Sequence, residues 1–185
     1  MKLIDLMTQY TKNPLGLEDS HPVFSWRWEV DEGEGSRFQS AWRIQAAGSL
    51  EALERGKADA WDSGKVSGER PFGIRYGGRR PESRERIYWR VMAWDDCGQQ
   101  TDWSEAAWFE MGLLEETDWE ARWIGRHKEE DATPLFRKSF HVKEGEIKKA
   151  RLYGCGLGLA DVFLNGEKTD RDYYEPWDSD YRKPS

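Results

Sequence analysis

The sequence predicts an all-β chain built from sandwich modules, and three observations carry that prediction. Large aromatic residues are concentrated: eleven of the 185 residues are Trp, in a chain that is 34% charged and only 37% hydrophobic. A chain this polar builds a core only from large apolar groups, and Trp, Tyr and Phe bury the most area per residue. Apolar residues also alternate with period two, most clearly from Ile87 to Asp96, which is the pattern of a strand with one buried face. Finally, six or seven such runs fall within about ninety residues, the spacing of a β-sandwich.

In chain order, residues 1–21 read as a lead-in, with a helical turn before Asn13-Pro14-Leu15-Gly16. From Pro22, Phe24, Trp26 and Trp28 point one way and Val23, Ser25 and Arg27 the other, giving a strand. Asp31 to Gly35 is a turn cluster. Trp42, Ile44 and Ala46 alternate with Arg43 and Gln45 in a second strand. Ser49 is placed to cap a single helical turn over Leu50 to Glu54. Trp61-Asp62-Ser63-Gly64-Lys65-Val66 reads as a strand bent at its glycine, Pro71 to Tyr76 as another strand, and Gly77-Gly78 as a turn. Ile87, Trp89, Val91 and Ala93 form an inward face, and Tyr88, Arg90, Met92 and Trp94 an outer one. Asp95-Asp96 precedes Cys97-Gly98 at a strand end, where an Asp side chain commonly stabilises the turn. Trp108 to Gly112 closes the sandwich, with Phe109 and Met111 inward.

Residues 22–113 therefore form the first module, and 114–118 a linker. A second β region covers 119–185. Phe136, Lys138, Phe140 and Val142 share a face, Ala150, Leu152 and Gly154 start another strand, and Val162 and Leu164 lead into Asn165-Gly166, a type I′ hairpin signal. Three or four strands are too few for a closed jelly roll, which needs about eight, so this second module reads as incomplete.

The function classes narrow by composition. A net charge of −7 with pI near 5.2 argues against a nucleic-acid footprint. The N-terminal Met1 to Tyr10, interrupted by Asp5, reads as neither signal peptide nor membrane span, which leaves the cytoplasm as the default location. Cys97 and Cys155 are too few and too far apart for a zinc framework and read as separate free thiols. His21, His127 and His141 lie in three different segments and suggest no metal site, and no cofactor is expected. Gly154-Cys155-Gly156-Leu157-Gly158 lacks the lysine and helix of a phosphate loop and reads as a tight bend. Nothing has the spacing of a catalytic triad or a convincing carboxylate pair. The aromatic tail is the one open site: Tyr173, Tyr174 and Trp177 could stack on a sugar, or else pack against a neighbouring domain.

Taken in order, a series of strings resembles the start of bacterial α-L-rhamnosidases. They are Asn13-Pro14-Leu15-Gly16, Phe24-Ser25-Trp26, Trp61 to Val66, Tyr88-Trp89-Arg90-Val91 with Trp94-Asp95, Trp103-Ser104, and Phe109 to Leu114. The series continues with Asp118-Trp119, Trp123-Ile124, Phe136-Arg137-Lys138, Gly156-Leu157-Gly158, Leu164-Asn165-Gly166, Pro176-Trp177 and Tyr181-Arg182-Lys183. The resemblance implies a fibronectin type III/immunoglobulin-like β-sandwich, then a partial jelly-roll-type, carbohydrate-binding-module-like β-sandwich. It implies a parent glycoside hydrolase whose catalytic barrel lies downstream and is this region's partner, with rhamnose-containing glycans as candidate ligands. No catalytic residue carries over, and the chain alone is expected to be inactive. The alternative is an autonomous carbohydrate-binding or protein-interaction module. Two positions depart from the pattern. Ile87 stands where fibronectin-like domains usually place a Tyr, with Tyr88 on the opposite face, and Leu159-Ala160 stands where the family often has an aromatic pair.

Overall fold

The computed structural model describes residues 1–29, 38–125, 134–156 and 160–169. The chain divides into two units, Met1–Gly125 and Arg126–Ser185.

In the first unit, β1 (Lys2–Thr8), β2 (Val23–Glu29) and β6 (Phe72–Arg75) form one antiparallel sheet in the order β1-β2-β6. The second sheet runs β4 (Trp61–Asp62), β3 (Gln39–Ala47), β7 (Arg86–Asp95), β8 (Ala107–Glu110), and β5 (Val66–Ser67) also pairs with β3. The alternation in β7 is complete: Ile87, Trp89, Val91 and Ala93 are fully buried, and Tyr88, Arg90, Met92 and Trp94 are half-buried. Ser49 caps α1 (Leu50–Glu54) by accepting from the Ala52 N–H at 3.2 Å. The strand expected from Trp61 to Val66 is split into β4 and β5 at Gly64, whose φ is +61°.

β7 outlasts β8, and residues 101–104 complete its edge. Thr101 and Ser104 donate their backbone N–H groups to the Ala93 and Val91 carbonyls, both at 2.9 Å. Their hydroxyls accept from the Ala93 and Val91 N–H groups at 3.1 and 3.0 Å. Polar side chains thus satisfy buried strand donors where a ladder would otherwise be needed. Beyond β7, the Asp95 carboxylate accepts from the Cys97 and Gln99 N–H groups, the turn role expected for it.

The core is an aromatic stack between the sheets. Phe24 and Trp89 lie with ring centroids 4.1 Å apart and an interplanar angle of 15°. Tyr76 meets both Phe24 and Phe109 edge-on. The polar tips inside find partners: the Trp89 indole donates to the Thr8 hydroxyl at 3.1 Å. Gln39 accepts from the indoles of Trp26 and Trp28 and donates to the Gly68 and Arg70 carbonyls.

The buried tyrosine hydroxyl in this sandwich belongs to Tyr76, which donates to the Ala60 carbonyl at 3.3 Å. Gly78 sits beside that hydroxyl and the same carbonyl, and a Cβ there would run into both. Burial pushes the Tyr76 phenol up to about 12. In the unfolded chain it titrates near 10. The unfolded state then releases its proton first, so the stabilisation from neutral Tyr76 is present below pH 10 and lost as pH rises toward 12. A denaturation series from pH 8 to 12 should show this loss, and Tyr76→Phe should flatten it. An unchanged slope in the variant would assign the alkaline limb to other groups.

Residues 1–21 differ from their expected form. Lys2–Thr8 is a paired strand with Leu3 buried, and not part of a helical lead-in. The period-two signal is broken there by a bulge between Ile4 and Met7. Asp5 occupies it at φ +51°, its carboxylate bound by Lys12 and Arg27, each at 2.6 Å. A bulge adds a residue out of phase, which hides the strand from an alternation test.

In the second unit, Phe163–Leu164 (β9) and Glu167–Lys168 (β10) form the expected hairpin, with Asn165 and Gly166 both at positive φ as a type I′ turn requires. The strands expected at 136–142 and 150–154 are not formed: described residues 134–156 carry no ladder. Alternation marks a chain suited to a sheet, but a strand exists only with a partner to bond. Among the described residues, a Cβ added at Gly154 would meet the Leu152 side chain, at 3.7 Å, and Leu157 and Gly158 of the expected bend lie outside the described residues.

Candidate functional site

A cluster of side-chain polar contacts lies where the chain leaves the sandwich. The loop between β6 and β7 grips the segment that follows β8. Arg79 closes a two-pronged pair on Glu85, with one arm at 2.9 Å. Glu85 also accepts from the Glu82 N–H at 2.8 Å. Burial works to raise the Glu85 carboxyl, but Arg79 and that N–H outweigh it and hold the group below its ordinary range. The loop thus carries an ion pair of its own, apart from its contacts to the segment after β8. Within it Arg84 sits at φ +66°, a conformation that non-glycine residues hold only when their surroundings enforce it.

The target is the segment 112–118. The Arg84 N–H donates to the Gly112 carbonyl at 2.9 Å. The Ser83 hydroxyl accepts from the Leu114 N–H at 2.9 Å and donates to the Asp118 carboxylate. Arg84 reaches the Asp118 carbonyl at 3.1 Å, and Arg80 pairs with Glu115 at 2.9 Å. Residues Glu116–Asp118 form one 3-10 turn, with Glu115 and Asp118 capping each other. The Ser83 hydroxyl and the Glu115 N–H hold the Asp118 carboxyl below its ordinary range. These contacts hold residues 112–118 against the loop between β6 and β7.

Other candidate groups lie elsewhere. Three tryptophans on the outer face of the larger sheet carry the chain's own cations over their rings. The Lys65 ammonium is 4.3 Å from Trp94, the Arg86 guanidinium 3.7 Å from Trp108 and the Arg90 guanidinium 4.5 Å from Trp103. Beside Arg90, Arg43 forms a two-pronged pair with Asp62, whose carboxyl is held far below its ordinary range chiefly by that contact. Asp95, Asp96 and Cys97 bring ligand-type atoms within 4.8 Å of one another, but Asp95 spends an oxygen on the turn. Both cysteines are free and exposed, and His21 and His141 are exposed. Tyr173, Tyr174, Trp177 and His127 lie outside the described residues. Among the described residues, no helix is long and apolar enough to cross a membrane. The exit grip escaped sequence reading because its partners, such as Ser83 and Asp118, are 35 positions apart.

Two sheets packed over an aromatic core, with the outgoing segment anchored at one end, define an immunoglobulin-type β-sandwich module. Comparison with known families makes this specific. The chain belongs to the Rha78A-like N-terminal immunoglobulin domain family, whose model matches residues 3–115. An alpha-L-rhamnosidase of Formosa agariphila is 35% identical over 92% of this chain and 20% of that protein. One from Alteromonas sp. strain LOR is 36% identical over the same shares. The structure of alpha-L-rhamnosidase from Dictyoglumus thermophilum superposes with a TM-score of 0.64 at 34% identity, over 70% of this chain and 14% of that one. The family read from the ordered strings, and the immunoglobulin-like sandwich it implied, are thereby borne out. The chain spans about a fifth of the length of these curated relatives.

Proposed function

We propose that this chain is the non-catalytic N-terminal accessory portion of an α-L-rhamnosidase, a parent enzyme that removes terminal α-L-rhamnose from rhamnosides. Its role is architectural. The sandwich packs against the downstream catalytic barrel and delivers the chain toward it along a set path, and the region from 119 onward belongs to a jelly-roll-type sandwich. The observation that carries this reading is the grip of Arg80, Ser83 and Arg84 on Gly112 to Asp118. Support also comes from the relatives, which are alpha-L-rhamnosidases of about five times the matched length.

Two measurements test it. The purified chain should give no turnover of an aryl α-L-rhamnoside, and a rate above the no-enzyme blank would defeat the non-catalytic assignment. Titration with L-rhamnose should leave tryptophan emission unchanged, and a saturable change would favour an autonomous carbohydrate-binding module instead.

A further inference from the structure

We propose that the N-terminal segment 13–17 and the loop 79–85 act as one grip, and that 13–17 is a positioning element for the path by which the chain leaves the sandwich. This rests on the reading of the exit as the functional site. Residues Glu110 to Gly112 form the middle of a three-membered ladder that no sequence-local interaction could build. On one side, the Glu110 N–H donates to the Pro14 carbonyl at 3.0 Å. On that side too, the Leu17 N–H donates to the Glu110 carbonyl at 3.0 Å and the Gly112 N–H to the Leu17 carbonyl at 2.8 Å. On the other side, the Met111 N–H donates to the Glu85 carbonyl at 2.8 Å, and the Arg84 N–H to the Gly112 carbonyl at 2.9 Å. Successive amides of an extended chain point to opposite sides, so each partner holds its own set of groups and neither can replace the other.

The N-terminal segment behaves as a strap more than as a strand. The Asn13 side chain caps the edge by accepting from the Trp108 N–H at 3.0 Å. Asn13 at φ +51°, Gly16 at φ +75° and the intervening proline interrupt strand geometry. The strap therefore covers the β8 edge without presenting a regular edge of its own. It is moored to the other sheet: Lys12 pairs with Asp5, Asp5 with Arg27 on β2, and the Gln9 N–H donates to the Val23 carbonyl at 2.8 Å. Strap and exit touch closely. A Cβ added at Gly112 would stand 3.1 Å from the Gly16 carbonyl oxygen and 3.3 Å from its carbon. A continuous series of bonds thus runs from the β1-β2-β6 sheet through the strap to Gly112, and on to Leu114 and Asp118.

Hydrogen exchange on the full chain tests the coupling. Gly112→Val displaces the strap by contact, Asn13→Ala removes its side-chain anchor, and Ser83→Ala loosens the loop side. The readout is the Asp118 and Trp119 amides, which bond to the Glu115 and Glu116 carbonyls and not to a strap residue. Both strap variants should speed exchange there about tenfold, as Ser83→Ala should, with Ile44 and Val91 unchanged as markers of local opening. If the strap variants speed exchange only at 9–17 and at Trp108, Glu110 and Gly112, the strap is an edge cover and the coupling is wrong. If Ser83→Ala also leaves Asp118 and Trp119 unaffected, the exit reading itself fails. Should Gly112→Val not fold, Asn13→Ala decides.

Discussion

Replacing Gln39 by Leu should lower the stability of the sandwich by about 3 kcal/mol, because several buried polar groups would lose their partner at once. The Gln39 side-chain oxygen accepts from two indoles, Trp26 at 3.0 Å and Trp28 at 3.2 Å. Its amide nitrogen donates to the Gly68 carbonyl at 3.0 Å and the Arg70 carbonyl at 3.1 Å. One side chain at the start of β3 therefore ties the β2 tryptophans to the segment between β5 and β6, with 5% of its surface exposed. Leucine fills similar space but returns none of these bonds, and an unpaired buried donor or acceptor costs more than an ordinary hydrogen bond contributes. Gln39→Glu is the more discriminating variant. It keeps an acceptor for the indoles but presents a carboxylate oxygen to two carbonyls, so it should be at least as destabilising at pH 7. It should recover in part in acid, where a protonated carboxyl can donate. Urea denaturation of both variants checks this. A loss under about 0.5 kcal/mol for Gln39→Leu, the range of ordinary surface changes, would mean that water replaces the amide.

The second expected result is a steep contrast in amide protection along the chain. Amides of β3 and β7 should exchange several orders of magnitude more slowly than those of 134–156, since the former open only with the sandwich and the latter have no ladder. Leu135 is 90% exposed, Phe140 64%, Ile147 61% and Leu152 69%. Side chains of this kind are normally buried, and several left in water within one segment mark a stretch that has not formed a core of its own. Exchange measured over a range of chain concentrations separates two cases. Uniformly low protection fits a segment that forms no sheet in this chain. Protection that rises with concentration reports pairing between chains. Protection equal to that of β7 at every concentration would overturn the contrast.

Legibility from sequence followed the range of the interactions involved. The β7 alternation, the Ser49 cap, the bend at Gly64 and the Asn165-Gly166 turn are written in neighbouring residues, and the structure has each of them. β1 was hidden because a single bulge at Asp5 shifts its phase. Asn13-Pro14-Leu15-Gly16 gives no local signal of pairing with a strand. Its partner, the Trp108 N–H, is 95 positions away, and nothing in either string announces the other. The exit grip is of the same kind, made of ordinary surface residues whose significance comes only from meeting. Trp94 was legible as an outer-face residue of β7, but the Lys65 ammonium over its ring comes from the segment between β4 and β5.

The placement of the indoles also makes the chain its own optical reporter. Trp89 lies flat against Phe24 in a fully buried, asymmetric site, whereas Trp119 and Trp123 are 43% and 69% exposed. The emission should therefore contain a blue component, shielded from aqueous quenchers, and a red one open to them. Loss of the blue component would report melting of the sandwich, and a blue shift of the red component would report that residues 119–123 had acquired a neighbour. One cuvette could then distinguish unfolding from docking without any added label.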